Sequence, residues 1–145
     1  MYKKILMAYD GSLAGQQALL DCHEIAQWAQ ASISLVAVTP LSVQMVGMEG
    51  GFYDQSLADM EREKYATVLA DGLRRLSEEG FQATGDLLLG DTVDEIVRHA
   101  EKIGADLIVV GHFHLKSWAA RWWRGSVSKS LIEHAPCSVL VVIGH

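Results

Sequence analysis

Several things are scarce in this chain, and each scarcity removes a class of protein. There are only two cysteines, Cys22 and Cys137. That is too few for a disulfide framework, so they read as buried free thiols of a protein kept in a reducing cytoplasm. No apolar run approaches the ~20 residues that a membrane span needs, although 50% of the residues are hydrophobic. Lys3 and Lys4 precede only a short apolar run with no cleavage-like pattern after it, so no secretory leader is expected. Positive charge is in deficit, with a formal net charge of −6, and nucleic acid is not an expected partner. The two prolines, Pro40 and Pro136, fall where regular structure is expected to stop. No repeat of solenoid period, low-complexity tract or linker is present. The 145 residues therefore read as one domain, 1–145, large enough to bury a real core.

What is present is an alternation of strand and helix. Lys4 to Tyr9 reads as a first strand buried on both faces, followed by a turn, Asp10-Gly11-Ser12, with Ser12 as helix N-cap. Ala18, Cys22, Ile25 and Ala29 form one apolar stripe at helical spacing. Ser32 to Val38 is a second strand, and a Gly- and Met-bearing loop follows from Leu41 to Gly51. A long helix is predicted to start between Tyr53 and Ser56, with Leu57, Met60, Val68, Leu69, Leu73 and Leu76 facing the core and Gly80 just past its end. Phe81 to Leu89 is a third strand. Thr92 with Glu95 reads as a capping box for the next helix, whose Ile96, Ala100 and Ile103 face inward before Gly104 ends it. Five strands alternating with four helices argue for a parallel sheet with helices on both faces.

The stretch from Asp106 to Val142 organises the rest. Leu107 to Val110 reads as a buried parallel strand ended by Gly111; a cationic, Trp-rich loop follows; and Gly125-Ser126-Val127-Ser128 looks like a helix start, with Pro136 stopping that helix before a last apolar strand. Unpaired backbone N–H groups and the helix dipole make such a start a phosphate site. Neither a P-loop nor a Rossmann glycine pattern is present.

The order of these residues resembles the universal stress protein family. Its nucleotide motif is Gly, two residues, Gly, nine residues, then Gly with Ser or Thr. Gly111 matches the first glycine, and Gly125-Ser126 match the last pair. His114 stands where the second glycine belongs, and the spacer from Leu115 to Arg124 is one residue longer. The resemblance implies an open five-stranded parallel sheet, order 3-2-1-4-5, with its site at the switch point between strands one and four. It also implies an adenine-nucleotide site, ATP or a relative, made by Ala8, Tyr9, Asp10, Val38, Val110, Gly111, His112, His114, Gly125, Ser126, Val127 and Ser128. Asp10 would contact the adenosine part and Val38 would line the adenine pocket. Read without the family, Asp10 is a turn aspartate and Val38 a core residue. A magnesium ion would arrive with the phosphates and be held mainly by them. The last strand, Ser138 to Ile143, would pair two subunits into a homodimer.

Three features stay open at the level of sequence. A Cβ at residue 114 would cost roughly 1 kcal/mol at a left-handed position, and a lost phosphate bond another ~1.5–3 kcal/mol; yet His114, Lys116, Arg121 and Arg124 are themselves phosphate partners in waiting. His112 and His114 form a His-x-His pair with no third metal ligand at a recognisable spacing. Leu115, Trp118, Ala119 and Trp122 share a helical face, which suits a lid over the crevice, a docking face for a protein partner at Trp118 and Trp122, or a cap on the protein's own core. Three function classes follow: a nucleotide-binding regulatory module of the stress response, a dimeric adaptor without nucleotide, and an enzyme such as a slow ATPase. No catalytic set is readable, so the enzyme ranks last.

Overall fold

The computed structural model describes residues 1–40, 55–113 and 126–144. Among these, five strands form one sheet: β1 (Lys4–Ala8), β2 (Ser32–Pro40), β3 (Thr84–Gly90), β4 (Leu107–Phe113) and β5 (Ser138–Gly144). All pairings are parallel, in the order β3-β2-β1-β4-β5. Four helices connect them: α1 (Leu13–Ala29), α2 (Gln55–Glu78), α3 (Thr92–Ile103) and α4 (Ser126–His134). The expected fold is therefore the observed one.

The sheet separates two cores, which is why the central strands read as unbroken apolar runs. On one face Ile5, Met7 and Tyr9 of the first strand region pack with Ala18, Leu19 and Cys22 of α1 and Leu76 of α2. On the other, Leu6, Val36 and Val38 pack with Ile96 and Ala100 of α3 and Leu131 of α4. Helices thus cover both faces, and β1 and β4 lie side by side with Ala8 opposite Val110.

Several boundaries and faces differ from the sequence reading. β2 runs through Pro40, which pairs in register with Gly90, because a proline at a strand end forfeits only one ladder bond. β3 begins at Thr84 rather than Phe81; Phe81 instead donates its N–H to Leu76 O and closes the end of α2. The α3 cap is Asp91, whose carboxylate accepts from Asp94 N at 3.1 Å; Thr92 is already helical, and Glu95 pairs with Arg98 instead of reaching back. Leu57 and Met60 are exposed. Leu76 is buried and Val68, Leu69 and Leu73 pack against the core as expected, but the buried face also runs through Ala58 and Gly72, small residues that a hydrophobicity pattern passes over. A Cβ at Gly72 would lie 2.6 Å from Leu35 Cδ2 and 2.7 Å from Tyr9 Cδ1, so glycine there lets α2 settle onto the sheet. Cys22 is buried as expected, whereas Cys137 is half-buried. Ser12 is the N-cap of α1, accepting from Gly15 N.

Candidate functional site

β1 and β4 are neighbours, but the helices that follow them, α1 and α4, pass to opposite faces of the sheet. A crevice must open between them at the carboxyl ends of the strands. The structure has a cleft of about 620 Å³ there. Its floor and near wall are Ala8, Tyr9 and Asp10 from the end of β1 and Val110, Gly111 and His112 from β4. Val36, Val38 and Pro40 supply the side toward β2, while Val127 and Ser128 come from the first turn of α4. That turn presents backbone N–H groups with no partner inside the helix, so the mouth of the cleft carries positive potential on that side.

Nine of the expected site residues meet in this one cleft although Asp10 and Ser128 are far apart in the chain. Ser126 begins α4, and its side chain lies outside the described residues. His114, Gly125 and the tryptophan segment with Trp118 and Trp122 lie outside them too, as does the loop from 41 to 51. Seven lining residues were not among the expected site residues: Ser12, Ala14, Val36, Pro40, Tyr65, Thr92 and Ile96. The capping assignments of Ser12 and Thr92 placed both near strand ends, which was the available signal. Nothing local marks Tyr65, which reaches the cleft only because α2 crosses that end of the sheet. Among the described residues no lysine or arginine lines the cleft.

Gly111 does not end its strand. β4 continues to Phe113, with Gly111 in register with Val142. A Cβ at Gly111 would stand 2.5 Å from Ala14 O and 2.7 Å from Gly15 N, so the residue is glycine because the first turn of α1 lies directly on it.

The electrostatics of the β1 end are set by two carboxylates. Tyr9 donates its hydroxyl to Asp71 Oδ2 at 2.7 Å, and Asp71 also receives Arg74 at 2.9 Å and Arg75 at 2.8 Å. Burial, then the Asp71 carboxylate, pushes the Tyr9 phenol up to about 12. The Tyr9 hydroxyl, aided by Arg75 and Arg74, holds the Asp71 carboxyl down to about 2. Tyr9 therefore stays neutral and fastens α2 to the strand that carries Asp10; it is no base. Asp10 is exposed, and its Oδ1 accepts from Ser12 N at 3.0 Å and from Ser12 Oγ at 2.6 Å. The turn role expected of it is present.

A second hollow of about 700 Å³ lies between α1, α2 and the end of β5, and it holds none of the expected site residues. Two of its charged side chains, Arg75 and Glu78, are already paired with Asp71 and Arg74. Among the described residues no group of three or more His, Cys, Asp or Glu side chains is arranged to hold a metal ion. Nor is any described helix long and apolar enough to cross a membrane.

The model of the universal stress protein family matches residues 1–142. The chain belongs to that family. Universal stress protein MJ0531 of Methanocaldococcus jannaschii is 32% identical over 142 residues, 98% of this chain and 82% of the relative. The crystal structure of a universal stress protein family member from Burkholderia pseudomallei is 31% identical, with a TM-score of 0.77 over 97% of this chain and 96% of that one. Adenine nucleotides occur in structures of this fold. A universal stress protein in complex with cAMP superposes with a TM-score of 0.72 over 97% of each chain at 20% identity. A family protein from Arabidopsis thaliana with AMP bound gives 0.71 at 18% identity, over 99% of this chain and 92% of that one. The Archaeoglobus fulgidus protein in complex with dAMP gives 0.67 at 22% identity, over 97% and 98%. These ligands belong to those proteins; the likeness to this universal stress protein is one of fold.

Proposed function

We propose that the cleft between β1 and β4 binds an adenine nucleotide, ATP or a relative, and that the protein is a nucleotide-responsive regulatory module of the stress response. The observation that carries this reading is one cleft lined by apolar residues (Val36, Val38, Ile96), by Asp10, the one carboxylate among the described lining residues, and by the N-terminus of α4. An apolar slot suits a purine, a carboxylate suits donors on the nucleoside, and a helix N-terminus suits phosphate. Bound nucleotides in structures of the same fold support it. Magnesium would come with the phosphates, since the described residues offer no cage for it.

Calorimetry with ATP on the parent, Gly125→Val and His114→Gly tests the reading. The parent should bind with micromolar affinity or weaker, on the order of 8 kcal/mol or less. Gly125→Val should lose binding, because a β-branched side chain blocks phosphate from the helix start. His114→Gly should tighten it, up to about a hundredfold if the full cost of the histidine is recovered. No heat with any adenine nucleotide in the parent or in His114→Gly would move the protein to the adaptor class, the reading that His114 in the motif's glycine position favours.

We also infer a homodimer through β5. This strand is at an edge of the sheet and its Val139, Leu140 and Val141 are only half-buried, so it offers unpaired backbone groups beside apolar side chains. Sedimentation should give a dimer at micromolar concentration, and Val141→Lys should split or aggregate it. A monomeric parent would end this inference.

A further inference from the structure

We infer that Ser12 and Gly15 are positioning residues for the Asp10 carboxylate, a role that rests on the nucleotide reading of the cleft. The geometry is a relay. Gly15 donates its N–H to Ser12 Oγ at 3.0 Å, and Ser12 Oγ donates its proton to Asp10 Oδ1 at 2.6 Å. Ser12 N–H adds a second bond to the same oxygen at 3.0 Å. Both of these bonds to the carboxylate fall on Oδ1. One carboxylate oxygen is thus held by the helix cap, at the rim of the cleft that Asp10 and Ser12 line together. A carboxylate on a free side chain would have to be ordered when ligand arrives; here the cap of α1 has ordered it beforehand.

Gly15 completes the arrangement by being small. A Cβ there would stand 2.8 Å from Asp10 Oδ1, 3.2 Å from Tyr9 Cδ2 and 3.3 Å from Ser12 Oγ. The closest of these is the end of a short, exposed side chain that can swing away, while the buried Tyr9 ring must yield by a few tenths of an ångström. Gly15 lies inside α1, where alanine is the better helix former. A methyl group at residue 15 therefore has a small net effect on the fold, its helix preference offset by the contact with Tyr9, and a direct effect on the carboxylate, which it displaces from the relay.

The experiment is ATP calorimetry beside thermal unfolding on the parent, Gly15→Ala, Ser12→Gly, Ser12→Thr and the Asp10→Ala background. Gly15→Ala should weaken ATP roughly ten- to a hundredfold, the range of one lost charge-assisted bond, while its Tm falls by no more than a few degrees. Ser12→Gly should weaken ATP similarly, since glycine is tolerated as a cap but brings no hydroxyl. Ser12→Thr restores the hydroxyl and should keep parent affinity. In Asp10→Ala, adding Gly15→Ala should cause no further loss, because the group it displaces is gone. Unchanged ATP affinity in Gly15→Ala, or an equal loss with and without Asp10, overturns the relay while leaving the nucleotide reading intact. A parent that binds no adenine nucleotide overturns both.

Discussion

Gly111→Ala should be among the most damaging single methyl additions in this protein. Its new Cβ would meet Ala14 O at 2.5 Å, Ala14 C at 2.6 Å and Gly15 N at 2.7 Å. These are backbone atoms in the first turn of α1, so relief requires moving the helix off the sheet. Gly111 itself is held in register with Val142 of β5, one residue past the last pair of the β1 ladder, Ala8 and Val110. Overpacking of this kind costs about 3 kcal/mol or more, a large part of the ~5–15 kcal/mol that holds a domain together. The Tm should fall on the order of 10 °C. Gly104→Ala is the control: its φ is +68° but a Cβ there meets nothing within 4 Å, so only the left-handed backbone cost of about 1 kcal/mol applies. Urea denaturation of the two variants decides it. Equal losses would mean that the strand–helix approach at Gly111 is looser than described. Because α1 carries Ser12 and Gly15 in the same turn, Gly111→Ala should also disturb the cleft, and its stability must be measured before any change in binding is read.

Filling the cleft should give the opposite profile, lost binding with the fold kept. Thr92 lines the cleft and is half-buried at the first position of α3. The helix does not depend on its hydroxyl, since Asp91 is the cap. Thr92→Trp would place an indole in the open space beside Ile96 and Val38, where an aromatic ring is welcome but a nucleotide base is then excluded. Affinity for ATP should drop about a hundredfold or more, with the Tm within a few degrees of the parent. Thr92→Val, which keeps shape and removes only the hydroxyl, should bind nearly as the parent does. If Thr92→Trp binds ATP undiminished, the nucleotide does not occupy the slot between β2 and α3, and the proposed orientation with Asp10 at the nucleoside end fails with it.

The sequence by itself determined the architecture. Alternating apolar strands and amphipathic helices, without linker or repeat, left a two-sided parallel sheet as the economical solution, and the family resemblance added the strand order that the structure has. It also named Asp10, Val38, Val110 and Val127 together, residues that only the switch point brings into one cleft. Tertiary structure decided the rest, for reasons of distance and size. Gly111 could be read as a strand end or a phosphate glycine; that α1 rests on it is a contact between segments almost a hundred residues apart, which no local pattern encodes. The inner face of α2 takes in Ala58 and Gly72 beside Leu76 and leaves out Leu57 and Met60; at Gly72 the close approach to Tyr9 and Leu35 requires a small residue, whereas periodicity counts large ones. Asp91 displaced Thr92 as a cap because either residue has the chemistry and only the geometry of the chain leaving Gly90 chooses between them. Tyr65 entered the cleft through the path of α2 across the sheet. Short-range chemistry was legible in the chain; the packing distances that turn it into a site came from the fold.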